Sequence, residues 1–442
     1  MLSPERRKTI LTLAWPIIGA MLSQNIVNLV DTAMVGHLDN PTPALAATGT
    51  GGFLSFMSAA FITGLAAGVQ AIAARRMGEG KVDEMALPLN GGLLLAVVLG
   101  VPIASLLYGF APEIFGMVQS DPEVVALGAP YYQMRLLGMV ALGCNFAFRG
   151  YWNGTNYSRF YMQTLLIMHA CNVFLNWVLI YGNLGAPELG VMGAGLATTL
   201  SFYIGTAMYM FMGWKHAKSA GFLRALPTLD AIKTMLRLAV PSGIQNFFFA
   251  FGMVVMLKLI GKIGTLELAA SNVLINLLLV GILPAMGFGL ASASLVGQAL
   301  GRKDIDAAQA WGYDVAKLTI VIVGLMVLPA FVIPDLMLSG FISDPETREV
   351  ALVPLYIAAL TVPIDALGVV LMNALLGAGA SRVVMGVSVA FQWVLALPAI
   401  WLVQRLGGGL VWVWVVQICY RGMQSGIFAW IWKRKGWASI KV

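Results

Sequence analysis

Runs of about 20 apolar residues, each long enough to cross a bilayer as a helix, recur along the whole chain of 442 residues. They fall at about 9–36, 44–74, 87–110, 127–153, 160–182 and 190–214. After a polar stretch they resume at about 232–261, 267–299, 314–339, 350–377, 383–404 and 408–432. Only 11% of the residues are charged, against about 25% in a soluble domain, so a soluble fold is excluded. The expected class is an all-α integral membrane protein with twelve transmembrane helices.

The basic residues set the orientation. Arg6, Arg7 and Lys8 precede the first run, Arg75, Arg76 and Lys81 follow the second, and Arg159 follows the fourth. Lys215, Lys218, Arg224, Lys233 and Arg237 crowd the middle connection, Arg302 and Lys303 follow the eighth run, and Lys433, Arg434, Lys435 and Lys441 close the chain. The opposite connections hold only Lys262, Arg348 and Arg405. Positive residues stay on the cytoplasmic side, so both termini are expected there, which requires an even number of spans. The formal charge of +7 is thus explained by span flanks, and nucleic acid is not an expected partner. Cys144, Cys171 and Cys419 lie in apolar runs without metal-ligand spacing and read as small hydrophobes. The N-terminal run is long, contains Asp31 and has no small-residue cleavage site, so it reads as a retained first helix and not a secretory signal.

The two sets of six runs are copies. Ser120-Asp121-Pro122-Glu123 recurs as Ser343-Asp344-Pro345-Glu346, 223 residues later, and the same offset relates Gly64 to Gly287, Gly78 to Gly301, Asp83 to Asp306 and Gly154 to Gly377. Leu13-Ala14-Trp15-Pro16 matches Leu238-Ala239-Val240-Pro241 at 225. Six spans per copy give both halves the same direction through the membrane, as in parallel-repeat transporters. The expected organisation is two pseudo-symmetric six-helix bundles, 1–214 and 238–442, joined by a cytoplasmic linker and helix entry at 215–237. Two lobes in one chain make a monomer sufficient.

Such halves can rock about a cleft, which suits alternating access. No P-loop, metal cluster or nucleophile–base pair points to an enzyme, and no cofactor motif is present. Transport energy would come from an ion gradient, although a passive channel would satisfy the same absence. Ionisable groups inside spans are costly and mark function. Gln24, Asn28 and Asp31 follow an i, i+4, i+7 pattern and share one helix face. Asn172 and Asn176 on the fifth run and Thr198 on the sixth add polar groups. A carboxylate among amides and apolar side chains can load and release a proton, which makes Asp31 the expected coupling group with Asn172, Asn176 and Thr198 around it. In the second half Met256 takes the register of Asp31. That half offers Asp365 beside Pro363, with Gln245, Asn246, Asn272 and Asn276 on the seventh and eighth runs. Asp365 has three open roles: binding a cation, attracting a cationic substrate, or pairing within the bundle. Arg135 and Arg149 read as snorkelling side chains, and His169 as a packed neutral histidine.

Trp15-Pro16, Val30-Asp31-Thr32-Ala33-Met34-Val35-Gly36 and Asn176-Trp177-Val178-Leu179-Ile180-Tyr181-Gly182 resemble the multidrug and toxic compound extrusion (MATE) family. So do Val240-Pro241-Ser242-Gly243 and Val296-Gly297-Gln298-Ala299-Leu300-Gly301. The likeness covers nearly the whole chain and is closest to the bacterial NorM-like members. It implies a V-shaped pair of six-helix lobes in the cell inner membrane. It also implies export of organic cations or other amphipathic compounds in exchange for H+ or Na+. Asp31 and Asp365 match the family's acidic residues of the first and tenth helices. Where NorM-like members often carry a Glu in the seventh helix, this chain has Phe249, which removes a carboxylate from the expected second-half cation site. H+ coupling through Asp31 is therefore the favoured expectation, with no firm metal site and Na+ left open. The competing expectation is a flippase or exporter of lipid-linked precursors or metabolites with a related fold, which would need more cations facing its cleft.

Overall fold

The computed structural model describes residues 3–342 and 344–442, and among them there is no β-strand. In lipid a helix satisfies its own backbone groups, and the apolar runs form twelve long helices. These are α1 (Pro4–Val35), α2 (Pro41–Thr63 continued by Leu65–Gly78), α3 (Leu87–Gly109), α4 (Pro122–Leu137 and Met139–Gly154), α5 (Ser158–Tyr181) and α6 (Gly190–His216). The second set is α7 (Leu229–Gly261), α8 (Thr265–Gly301), α9 (Ile305–Val327), α10 (Pro345–Gly377), α11 (Ser381–Arg405) and α12 (Leu410–Lys433). Ten helical stretches are long and apolar enough to cross a membrane. The exceptions are α4, split at Gly138, and α12, which carries Arg421. Large apolar side chains such as Leu106, Val321 and Val394 are exposed, as lipid-facing positions should be.

The repeated Asp-Pro pairs are helix starts. Asp121 caps α4 by accepting from the Glu123 amide at 2.9 Å, and Asp344 caps α10 by accepting from the Thr347 amide at 2.8 Å. In both, the proline occupies the first turn, where its missing N–H costs nothing. Ser343, the first residue of the second Ser-Asp-Pro-Glu, lies outside the described residues. A short helix precedes each cap, Ala111–Val118 and Pro334–Ser339.

The repeat also survives as equivalent close contacts. A Cβ on Gly154 would lie 2.8 Å from the Gln70 carbonyl, and one on Gly377 would lie 2.2 Å from the Ala293 carbonyl. Gly150 and Gly154 form a Gly-x-x-x-Gly face that brings α4 onto α2 near Ala66 and Gln70, the usual device for tight helix packing in membranes.

The chain divides into two compact units: Gly19–Gly243, and Ile244–Val442 together with the residues up to Ile18. This partition is not the sequence partition of 1–214, 215–237 and 238–442. The beginning of α1 belongs with the second copy and the beginning of α7 with the first. Glycines account for it. Gly64 on α2 comes against the Ala239 carbonyl of α7, where a Cβ would be 2.2 Å away, and its repeat partner Gly287 on α8 comes against Ile18 of α1. Arg6 adds an ion pair with Asp314 on α9 (2.9 Å) and stacks on Trp311. The middle connection packs on the first unit: Asn90 of α3 donates to the Gly221 and Ala225 carbonyls, both at 2.9 Å, and accepts from the Leu223 amide at 3.0 Å.

Candidate functional site

Within the Gly19–Gly243 unit lies a cavity of 740 Å³. α1 contributes Gln24, Asn28 and Asp31 to its wall, α2 contributes Phe53 and Phe56, α4 contributes Tyr131, Arg135 and Phe146, and α6 contributes Thr198 and Phe202. Asp31 and Arg135 are the charged residues of this lining. The i, i+4, i+7 spacing on α1 accordingly delivers its polar face to one space.

Behind Asp31, α5 supplies the amides. Asn176 is fully buried and donates from Nδ2 to the Asp31 carboxylate at 2.5 Å. The same Nδ2 lies 3.3 Å from Asn172 Oδ1, and Asn172 donates to Thr198 Oγ1 at 3.3 Å. The expected coupling group and the three residues expected around it thus form one chain of hydrogen bonds across α1, α5 and α6. Asn176 Oδ1 is buried without a hydrogen-bond partner among the described residues. Tyr181 donates to the Met34 carbonyl at 2.6 Å and pins α5 to the end of α1.

A second chain runs from Gln24. Its amide donates to Asn28 at 3.1 Å, and its Oε1 lies 3.1 Å from His169 Nε2, whose Nδ1 is 2.9 Å from Ser23 Oγ. His169 is buried, as the sequence reading expected, but it packs against polar partners. Arg135 lines the cavity, 5.6 Å over the Phe202 ring. The break at Gly138, packed against Thr199, ends the helix just past Arg135 and holds that turn against α6. Arg149 stacks on Phe146 at 4.5 Å.

The second unit has no matching assembly of the expected residues. Asp365 pairs with Arg421 of α12 at 3.3 Å, so of its three open roles the structure has it paired within the bundle. The Arg421 guanidinium also stands 5.7 Å over Phe249, the residue in place of the expected Glu. Gln245 donates to Ser388 at 3.2 Å. Asn272 and Asn276 are exposed and donate to carbonyls one turn back on α8, those of Leu268 and Asn272. Asn246 has a partner, while Gln245, Asn272 and Asn276 bond to groups other than Asp365. Arg421 went unnoticed in the sequence, although an arginine within an apolar run demands a buried acid.

Twelve long helices in two repeated sets among the described residues, with a cavity inside one compact unit, define a polytopic membrane protein. A family model described as MatE matches residues 16–178 and again residues 241–402, and the chain belongs to that family. The double match recovers the internal repeat independently. The chain is 25% identical over 428 residues to a Thermotoga maritima protein named "Probable multidrug resistance protein NorM", covering 94% of this chain and 89% of the relative. It is 26% identical to the "Multidrug resistance protein NorM" of Photobacterium profundum, covering 92% of each. A solved structure described as the outward-facing conformation of a multidrug resistance MATE family transporter superposes with a TM-score of 0.88 at 20% identity, covering 99% of this chain and 97% of that one.

Proposed function

We propose that this chain is a multidrug exporter that exchanges H+ for amphipathic, mainly cationic compounds by alternating access, with Asp31 as the coupling carboxylate. The observation that carries the reading is Asp31 itself, an acid on the wall of a 740 Å³ cavity whose carboxylate is held by a fully buried asparagine. Proton and cation compete for the same negative charge, so one must leave before the other binds. A protonated Asp31 gains an O–H donor, and rotation of the Asn176 amide turns its unpartnered Oδ1 to accept it. Tyr131, Phe146 and Phe202 supply faces for an organic cation. The relatives' names, multidrug resistance proteins, support export of a range of compounds. The Arg421–Asp365 pair supports placing the coupling in the first unit, because that carboxylate is already neutralised. The basic connections support an orientation with both termini in the cytoplasm, and membership of a family with bacterial NorM relatives supports residence in the cell inner membrane.

The test is efflux of ethidium from proteoliposomes under a pH gradient or a Na+ gradient imposed separately. Efflux driven by the pH gradient and lost in Asp31→Asn is the expected result. Efflux that follows Na+ and survives the substitution would overturn it. No efflux under either gradient would move the substrate toward lipids or metabolites.

A further inference from the structure

A second cavity of 600 Å³ opens beside the middle connection. Its floor is apolar, formed by Leu93, Leu94 and Val97 of α3 with Met210 of α6, and its rim is the connection itself at Leu223–Leu226. On the same helix Val97, Val98 and Val101 are exposed, so the groove continues onto a lipid-facing surface. We propose that it binds one anionic phospholipid, with the phosphate on Arg224 and an acyl chain along α3.

Charge chooses the occupant. No acidic residue lines the groove, and Arg224 is its one charged group. Arg224 is exposed and has no ion-pair partner among the described residues. The other polar groups are already committed. Asn90 spends its amide on the connection, and Thr206 bonds to Asn145 at 2.9 Å and to the Phe202 carbonyl at 3.0 Å. What remains is an apolar trough with a single cation at one end, which matches an apolar chain with a single anionic head.

The connection is also built for the membrane interface. Residues 215–229 contain Lys215, Lys218 and Arg224 and no acid. Lys218 sits 4.5 Å over Trp214, which is itself exposed, the pairing of aromatic ring and base expected at headgroup level. Leu223 and Leu226 flank Arg224 and are exposed. The three hydrogen bonds from Asn90 hold this segment over the groove and keep Arg224 at its mouth.

Native mass spectrometry of the detergent-solubilised full chain tests the site, after equilibration with dioleoyl phosphatidylglycerol or dioleoyl phosphatidylcholine. Wild type should retain one phosphatidylglycerol in preference to phosphatidylcholine. Arg224→Gln should lower phosphatidylglycerol retention about fivefold, the usual worth of one basic residue at an anionic surface, and lower phosphatidylcholine, whose choline offsets its phosphate, by less. Arg224→Lys should keep most of the preference, and Leu94→Trp, which fills the trough, should lower both lipids. Lys262→Gln removes an equal charge elsewhere and should change nothing. Undiminished phosphatidylglycerol retention in Arg224→Gln, or an equal loss in Lys262→Gln, would overturn the proposal.

Discussion

Replacing Arg421 by Met should cost the protein much of its stability, and replacing Asp365 as well should return it. The two side chains are 20% and 9% exposed and stand 3.3 Å apart. Removing one partner leaves an uncompensated carboxylate among apolar helices, which costs about 3–5 kcal/mol when the pair is buried. Arg421 keeps some exposure, so the lower end applies, about 3 kcal/mol. For a chain of this length that corresponds to a fall of about 3 °C in Tm. Arg421→Met combined with Asp365→Leu removes both charges and substitutes apolar volume, which is commonly neutral or stabilising. The double variant should unfold within about 1 °C of wild type, since about 1 kcal/mol shifts Tm by that much. Tryptophan fluorescence in detergent micelles at one fixed scan rate reads all three proteins. A single variant that unfolds with wild type, or a double variant no more stable than the single, would refute the reasoning. The double variant should also keep its efflux driven by a pH gradient, because the carboxylate proposed to couple, Asp31, is in the other unit.

Asn90→Ala removes three hydrogen bonds that hold the middle connection, those with the Gly221 and Ala225 carbonyls and with the Leu223 amide. At about 1 kcal/mol for each lost bond, the segment should open more often, and trypsin should cut after Arg224 at least tenfold faster than in wild type. A wild-type cutting rate would mean that the connection is held by other contacts. At Asp344, the Thr347 hydroxyl and then its amide hold the carboxyl below its ordinary 3.8. A lowered carboxylate contributes stability above its unfolded value, and that contribution fades as pH falls through the folded value. Asn caps a helix without titrating. The Tm of wild type should therefore fall more steeply below about pH 4 than that of Asp344→Asn, and parallel curves would contradict the assignment.

The membrane class and the repeat were legible because both are carried by pattern. Apolar run length maps onto bilayer thickness, and a shared offset of 223 residues maps onto shared contacts, as Gly154 and Gly377 show against Gln70 and Ala293. The polar face of α1 was legible for the same reason, since helical spacing fixes which residues share a side. Less could be read where a partner comes from a distant helix. Asp365 gave no sign of whether it faced Arg421, a cation or the substrate, because nothing along the chain encodes which face of α12 meets α10. The direction of Arg135 depends on the break at Gly138. Asn272 and Asn276 counted as site candidates by composition, yet each bonds its own helix. The exchange of the first parts of α1 and α7 between compact units hung on glycines whose neighbours lie some 175 to 270 residues away.

The central claim is that a proton and an organic cation compete for Asp31. Proton release on binding tests it most directly. Calorimetric titration of the detergent-solubilised protein with tetraphenylphosphonium, in buffers of different ionisation enthalpy between about pH 5 and 8, counts protons released per cation bound. About one proton should leave wild type at the acidic end of that range, and none should leave Asp31→Asn. Release that persists unchanged in Asp31→Asn, or cation binding by wild type with no proton released at any pH in the range, would contradict the account.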